Sequence, residues 1–160
     1  MYMLSQHFSY EELTASTALD RYNKTHDFNV KNHPSAAQVK NMKILCASFL
    51  EPLRDSYGPV RINSCFRTQL VNNLVGGSKS SLHMQGRAAD IHCASWDMAF
   101  RYAGFFLQRF TKWGIGFDEL FVCRRKSTGS IWIHLGIPNG IPNGVSFASA
   151  RMKVNLMEYE

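Results

Sequence analysis

The 160-residue sequence lacks several features that would assign it to a particular class of protein. It has no apolar run near the roughly 18–20 residues needed to cross a bilayer, and residues 1–9 lack the basic and apolar pattern of a secretion signal. Its four cysteines form no Cys-x-x-Cys pair, which argues against a structural zinc knuckle. We therefore expect a protein made in the cytoplasm, without a membrane span or signal peptide, whose thiols are free.

Size and charge indicate the number of domains and the class of partner. Apolar residues make up 45% of the chain and charged residues 19%, which is typical of one globular domain over residues 1–160. The net charge of +6 suits an anionic partner such as bacterial cell wall, anionic lipid or nucleic acid. The only tight basic cluster is residues 124–126, which predicts either a solvated loop tip or a contact with an anion. No strong nucleic-acid motif is present, so we do not expect a nucleic-acid partner.

Capping residues and apolar periodicity predict the order of helices and strands. The helices are expected near Tyr10, from Ser35 to Gly58, over 69–75 and over 96–110. Strands are expected over 60–63, 87–92, 117–123 and 131–137, with an edge strand over 145–148 and a long ordered loop over 20–33. Two Pro-Asn-Gly runs, 138–140 and 142–144, predict a tight loop. Helices around a small, mostly antiparallel sheet make the expected fold class α+β.

Three residues offer a catalytic type of zinc site. Zinc in enzymes takes three protein ligands and keeps one position open. His83 lies in a glycine-flanked loop, Asp90 follows seven positions later on a predicted strand, and His134 lies in the middle of a distant one. Spacing alone leaves the alternative open, because histidines in strands are often hydrogen-bonded structural residues.

Three short sequence motifs resemble those of a known family. Residues 63–67 (NSCFR), 75–77 (VGG) and 81–91 (SLHMQGRAADI) are similar to the signature of the zinc D-alanyl-D-alanine carboxypeptidases, which include phage cell-wall endopeptidases and vancomycin-resistance dipeptidases. The resemblance covers about residues 4–137, and its N-terminal part is similar to the extended phage and bacterial branch. It implies a hedgehog/DD-peptidase-like fold and one bound Zn²⁺ ion.

The resemblance also implies roles for individual residues. His83, Asp90 and His134 match the three metal ligands. Arg67 matches an arginine that holds a substrate carboxylate or carbonyl, with a structural ion pair as the alternative. Ser81 matches a serine that contacts substrate or supports a ligand, with a plain turn hydroxyl as the alternative.

The chain departs from the family pattern at the general base. The strand 117–123 (FDELFVC) carries Cys123 where the nearest branch has a glutamate, and Ile131 occupies the position used in other branches. Glu119 is the best remaining candidate for the catalytic base, but it lies four residues before position 123, roughly 13 Å along a strand. We expect that a bulge or register shift would be needed to bring its carboxylate to a zinc-bound water. Cys123 as a fourth zinc ligand is the alternative.

Two functions follow from the resemblance. The first is a monomeric zinc metallopeptidase that hydrolyses a peptide bond in peptidoglycan stem or cross-bridge peptides, as a D-Ala-type carboxypeptidase or endopeptidase. Small size, basic charge and the missing signal suit a phage-encoded enzyme that reaches the cell wall after release or delivery. The second is an inactive pseudo-peptidase that holds zinc and binds the wall or a protein partner.

Overall fold

The computed structural model describes residues 1–139 and 153–160. Its strands are β1 (Ile62–Ser64), β2 (Ala88–Cys93), β3 (Glu119–Arg125), β4 (Ile131–Gly136) and β5 (Lys153–Tyr159). They form one sheet in the order β1-β2-β4-β3-β5. The first three neighbouring pairs are antiparallel, and β5 runs parallel to β3. The expected α+β class with a mostly antiparallel sheet is confirmed.

Six α-helices surround or precede this sheet within the described residues. They are α1 (Tyr10–Thr14), α2 (Thr17–His26), α3 (Ala36–Leu45), α4 (Glu51–Tyr57), α5 (Gln69–Leu74) and α6 (Trp96–Trp113). A π-helical segment, Cys46–Leu50, joins α3 to α4, and a 3₁₀ turn, Leu82–Gln85, precedes β2. None of the described helices is both long and apolar enough to cross a membrane.

The predicted helix from Ser35 to Gly58 is present, but it contains the π segment. Ser35 and Gln38 form a capping box at its start, and Gly58 ends it with φ +81°. Pro52 has no backbone N–H and cannot donate to the carbonyl of Ser48 four residues earlier. Arg109 Nη2 of α6 donates to that carbonyl instead, at 3.1 Å. The proline accounts for the local change of helix geometry.

The expected loop over 20–33 is wrong in its first part, where α2 continues to His26. Ser16 caps this helix by accepting a hydrogen bond from the Leu19 amide at 3.2 Å, and Asp27 ends it in the left-handed region. Only Leu19 is buried along its length. Because so little of α2 faces the core, the sequence carries no apolar periodicity there to indicate a helix.

Successive side chains of a strand point to opposite faces of the sheet, so one face packs on the core and the other carries the candidate site. Ile91, Leu120, Ile133 and Leu135 are fully buried and belong to the main core, together with Phe106 of α6. Asp90 and His134 occupy the intervening positions of β2 and β4, so both side chains project from the opposite face. Gly140 of the first Pro-Asn-Gly run, the whole second run and the expected strand over 145–148 lie outside the described residues.

Candidate metal centre and substrate groove

Strand register brings Asp90 and His134 together. The two residues are direct partners in the β2–β4 ladder, and His134 Nδ1 lies 2.9 Å from Asp90 Oδ1. His83 reaches the same carboxylate from the 3₁₀ turn, with its Nε2 3.3 Å from Asp90 Oδ2. One donor atom from each of the three side chains lies within 4.8 Å of the others. The three residues predicted as metal ligands therefore form one cluster.

Helix α3 fixes the turn that carries His83. Gln38 Nε2 donates to the carbonyl of Met84, and Asn41 Nδ2 donates to that of Gln85, both at 2.8 Å. Gly86 ends the turn with φ +67°, and a Cβ there would lie 2.5 Å from the carbonyl oxygen of Gln38. Only glycine therefore fits between the turn and α3 without displacing one of them.

Each histidine of the cluster is oriented through its second ring nitrogen. His83 Nδ1 donates to the carbonyl oxygen of Cys65 at 2.6 Å, which leaves Nε2 with a lone pair facing Asp90. His134 Nε2 lies 3.0 Å from Glu119 Oε2, which leaves Nδ1 facing Asp90. Hydrogen bonds of this kind, to a carbonyl or carboxylate, are usual for histidines that bind metal.

Protonation in this cluster favours an ionised carboxylate beside a neutral His83. Burial works to raise the pKa of Asp90, but the nearby imidazoles outweigh it and hold that pKa well below its usual range. Burial lowers the pKa of His83 and keeps the ring neutral. Burial also works to lower the pKa of His134, but hydrogen bonds to Asp90 and Glu119 outweigh it and raise that pKa to about 9 in the metal-free protein.

The donor set fits a zinc ion. His83 Nε2 and Asp90 Oδ2 face each other across 3.3 Å. An imidazole nitrogen and a carboxylate oxygen turned toward each other can bind the same cation. Two imidazole nitrogens and a carboxylate oxygen are the ligand types that zinc takes in catalytic sites. His83, Asp90 and His134 are thus the residues that would hold the metal.

The cluster forms the floor of a groove of about 430 Å³. The loop side is lined mostly by small residues, Gly76, Gly77, Ser78, Ser80 and Ser81, and the other wall carries larger side chains of the sheet. Ser81 lies on the groove, and its hydroxyl does not cap the 3₁₀ turn that follows it. The wall on the sheet side, apart from Glu119, is formed by Phe121, Arg125, Trp132, Met157 and Tyr159.

Arg67 lies at the edge of the cluster and is held on two sides. Its Nη2 donates to Asp90 Oδ2 at 2.6 Å, and its Nε donates to Ser64 Oγ at 2.9 Å. The guanidinium also lines the groove. An ion pair with Asp90, which was the alternative to substrate binding, is therefore present, and it leaves Nη1 as the nitrogen not used by these two bonds.

Glu119 contacts His134 without a bulge or register shift in β3. β3 and β4 pair without interruption from Glu119 to Arg124, and Phe121 is the direct partner of His134. Positions 119 and 123 are therefore diagonal neighbours of His134, one on each side, at similar distances. Glu119 reaches His134 within this regular ladder. The carboxylate approaches the ring nitrogen that faces away from Asp90, and its role as the catalytic base stays a prediction.

Cys123 does not belong to the cluster. The thiol is fully buried, and it donates a hydrogen bond to the carbonyl of Phe121 at 3.7 Å. Burial raises its pKa to about 12, so the metal-free protein carries a protonated thiol there. The group of possible metal ligands found among the described residues contains His83, Asp90 and His134 without it.

Comparison with known proteins agrees with this geometry. A model of the Peptidase M15 family matches residues 6–128, more than half of the chain. The chain belongs to the Peptidase M15 family. The matched region of this M15 chain contains His83, Asp90 and Glu119, and it ends before His134, whose place in the cluster comes from the structure. No curated protein matches the chain.

The sequence did not indicate most of the sheet-side wall. No role was predicted for Trp132, and no strand was expected over 153–159. The sequence does not give the register of β3 against β4. Without that register, the alternation of side chains along β3 does not show that Glu119, Phe121 and Arg125 face the groove.

Proposed function

We propose that this M15 protein is a zinc-dependent peptidase that hydrolyses a peptide bond in peptidoglycan stem or cross-bridge peptides. The observation that carries the proposal is the convergence of His83, Asp90 and His134 on the floor of an open groove, with the Glu119 carboxylate 3.0 Å from His134. When bound, zinc supplies a Lewis acid that polarises a carbonyl and lowers the pKa of water.

The chain's own residues then have distinct roles. Glu119 is the carboxylate nearest to the ligands that also lines the groove, so it is our candidate to accept a proton from water and return it to the leaving amine. Arg67 orients Asp90 and offers its Nη1 to a substrate oxygen. Ser81 offers its hydroxyl to the substrate backbone from the opposite wall. The groove holds an extended peptide between these walls.

Release of free amines from purified peptidoglycan tests this function. We expect the zinc-loaded wild type to release amines, and His83→Ala to release none above background while losing its zinc. His26→Ala is the matched control, because His26 lies on the exposed surface of α2, outside the cluster. A wild type that carries zinc but releases no more amine than His83→Ala would contradict the proposal.

An inactive zinc-holding module has weaker support. It is favoured if Cys123 closes the open coordination position, but that thiol lies outside the cluster. Cys123→Ala separates the two functions: we expect it to keep its zinc content and its amine release. Loss of zinc in this variant, together with an inactive wild type, would favour the module.

A further inference from the structure

The basic run 124–126 is divided between two faces of the sheet edge. Arg124 Nη1 lies 3.6 Å from Glu158 Oε1, and Lys126 Nζ lies 2.8 Å from Glu160 Oε1. Arg125, between them, lines the groove instead and forms no ion pair with any residue in 1–139 or 155–160. Two of the three charges are thus compensated by carboxylates at the C-terminal end of the chain, and the third lies on the groove.

Strand geometry explains the position of Arg125. It shares its face of β3 with Glu119 and Phe121, and its backbone N–H donates to the carbonyl of Ser130 at 2.9 Å. Phe121 pairs with His134, and Arg125 lies four residues further along β3, a distance of roughly 13 Å. The guanidinium therefore lines a part of the groove that lies beyond the metal ligands.

Aromatic rings fill the space between the metal cluster and Arg125. Trp132 is the next residue of β4 on the site face after His134, and Tyr159 is the partner of Arg125 in the β3–β5 ladder. The two rings stack with their centroids 5.4 Å apart. Such a surface suits the aliphatic part of a peptide.

Charge along the groove is asymmetric. At the metal end Arg67 is paired with Asp90, and the Glu119 carboxylate contacts His134. At the far end Arg125 lies beside aromatic rings and has no carboxylate partner among the described residues. The far end of the groove therefore attracts an anion, and a guanidinium binds a carboxylate through two parallel hydrogen bonds.

We propose that Arg125, supported by Trp132 and Tyr159, binds a free carboxylate of the substrate within about four residues of the bond that is cleaved, since an extended peptide covers about 3.5 Å per residue. The proposal rests on the peptidase function above and adds to it a determinant of specificity. Two carboxylates of a stem peptide have the required chemistry, the α-carboxylate of γ-linked D-glutamate and the C-terminal carboxylate.

Peptide binding to the metal-free, full-length protein tests this assignment. The probes are L-Ala-γ-D-Glu-L-Lys-D-Ala-D-Ala, the same peptide with D-isoglutamine in place of D-glutamate, and the same peptide as a C-terminal amide. We expect wild type to bind the parent peptide about five-fold more tightly than one of the two amides, which identifies the carboxylate. Arg125→Gln should bind all three within two-fold.

Arg124→Gln is the matched control, because Arg124 pairs with Glu158 and does not line the groove. It should keep the wild-type preference. The proposal is overturned if wild type binds the three peptides equally or binds none, or if Arg125→Gln keeps the preference. Cleavage of the parent peptide by the zinc-loaded protein is measured separately, so a protein that discriminates but does not cleave contradicts only the peptidase function.

Discussion

Glu119 Oε2 lies 3.0 Å from His134 Nε2, on the side of the imidazole opposite to Asp90. This contact gives the carboxylate two possible roles. It can accept a proton during hydrolysis, or it can hold the His134 ring in the orientation that directs Nδ1 to the metal. The two roles have different consequences when the carboxylate is replaced by an amide.

Glu119→Gln separates them. The amide oxygen still accepts a hydrogen bond from His134 Nε2, but the side chain cannot take up a proton. We expect zinc content to stay at the wild-type level and kcat to fall by about 10²–10⁴-fold, the usual contribution of a general base. Glu158→Gln on β5, whose carboxylate pairs with Arg124, is the control and should keep its activity. If Glu119→Gln retains activity while Glu119→Ala loses zinc affinity, the role of Glu119 is to orient His134.

Asp90 should couple metal binding to stability. A ligand that binds only the folded state raises the melting temperature, so zinc should stabilise the metal-free wild type. Asp90→Asn should abolish this zinc-dependent shift and lower the melting temperature itself, because the Arg67 guanidinium loses its partner at 2.6 Å. Thermal unfolding with and without zinc measures both effects.

His92→Ala is the control for Asp90→Asn, since His92 lies two residues further along β2 and outside the cluster. It should keep the zinc-dependent shift. Loss of the shift in His92→Ala, or its persistence in Asp90→Asn, would show that the metal binds elsewhere.

The sequence predicted the parts of the site that depend on local spacing. The run 81–91 places His83 on a turn and Asp90 on a strand, and the family resemblance adds His134, so the cluster was expected before its geometry was known. The sequence did not predict that Glu119 contacts His134, because this contact depends on the pairing of Phe121 with His134 across two strands. A shift of one residue in that ladder would turn Glu119 to the core face.

Gly86 is the position where a small change should most affect the His83 turn. Gly86→Ala forces a side chain into φ +67° and brings its Cβ to 2.5 Å from the carbonyl oxygen of Gln38. We expect a loss of roughly 1–3 kcal/mol in the free energy of unfolding, together with weaker zinc binding as the turn moves.

Gly129→Ala is the control for Gly86→Ala, because the two glycines have a similar positive φ but different surroundings. Gly129 has φ +71°, and a Cβ there meets no atom within 4 Å. Denaturant unfolding should show a loss of only about 1 kcal/mol, with zinc affinity unchanged. Equal losses in the two variants would mean that the contact with α3 does not matter.

Glu51 should make the stability of the protein depend on acid pH. Its carboxylate accepts hydrogen bonds from Ser5 Oγ at 2.6 Å and from the His7 amide at 2.8 Å, which attaches the N-terminal segment to α4. Burial works to raise the pKa of Glu51, but the hydrogen bonds from Ser5 and His7 outweigh it and the pKa lies below its ordinary value of 4.5.

Because the pKa of Glu51 is lower in the folded state, its contribution is fully present above pH 4.5 and is lost as the pH falls through the folded pKa. Glu51→Gln should therefore flatten the fall in the free energy of unfolding below pH 4.5, and Ser5→Ala should flatten it partly. Urea unfolding at a series of pH values between about 6 and 3 measures the slope, which is proportional to the difference in bound protons between the two states. An identical slope in wild type and Glu51→Gln would mean that the hydrogen bonds at Glu51 do not persist in solution.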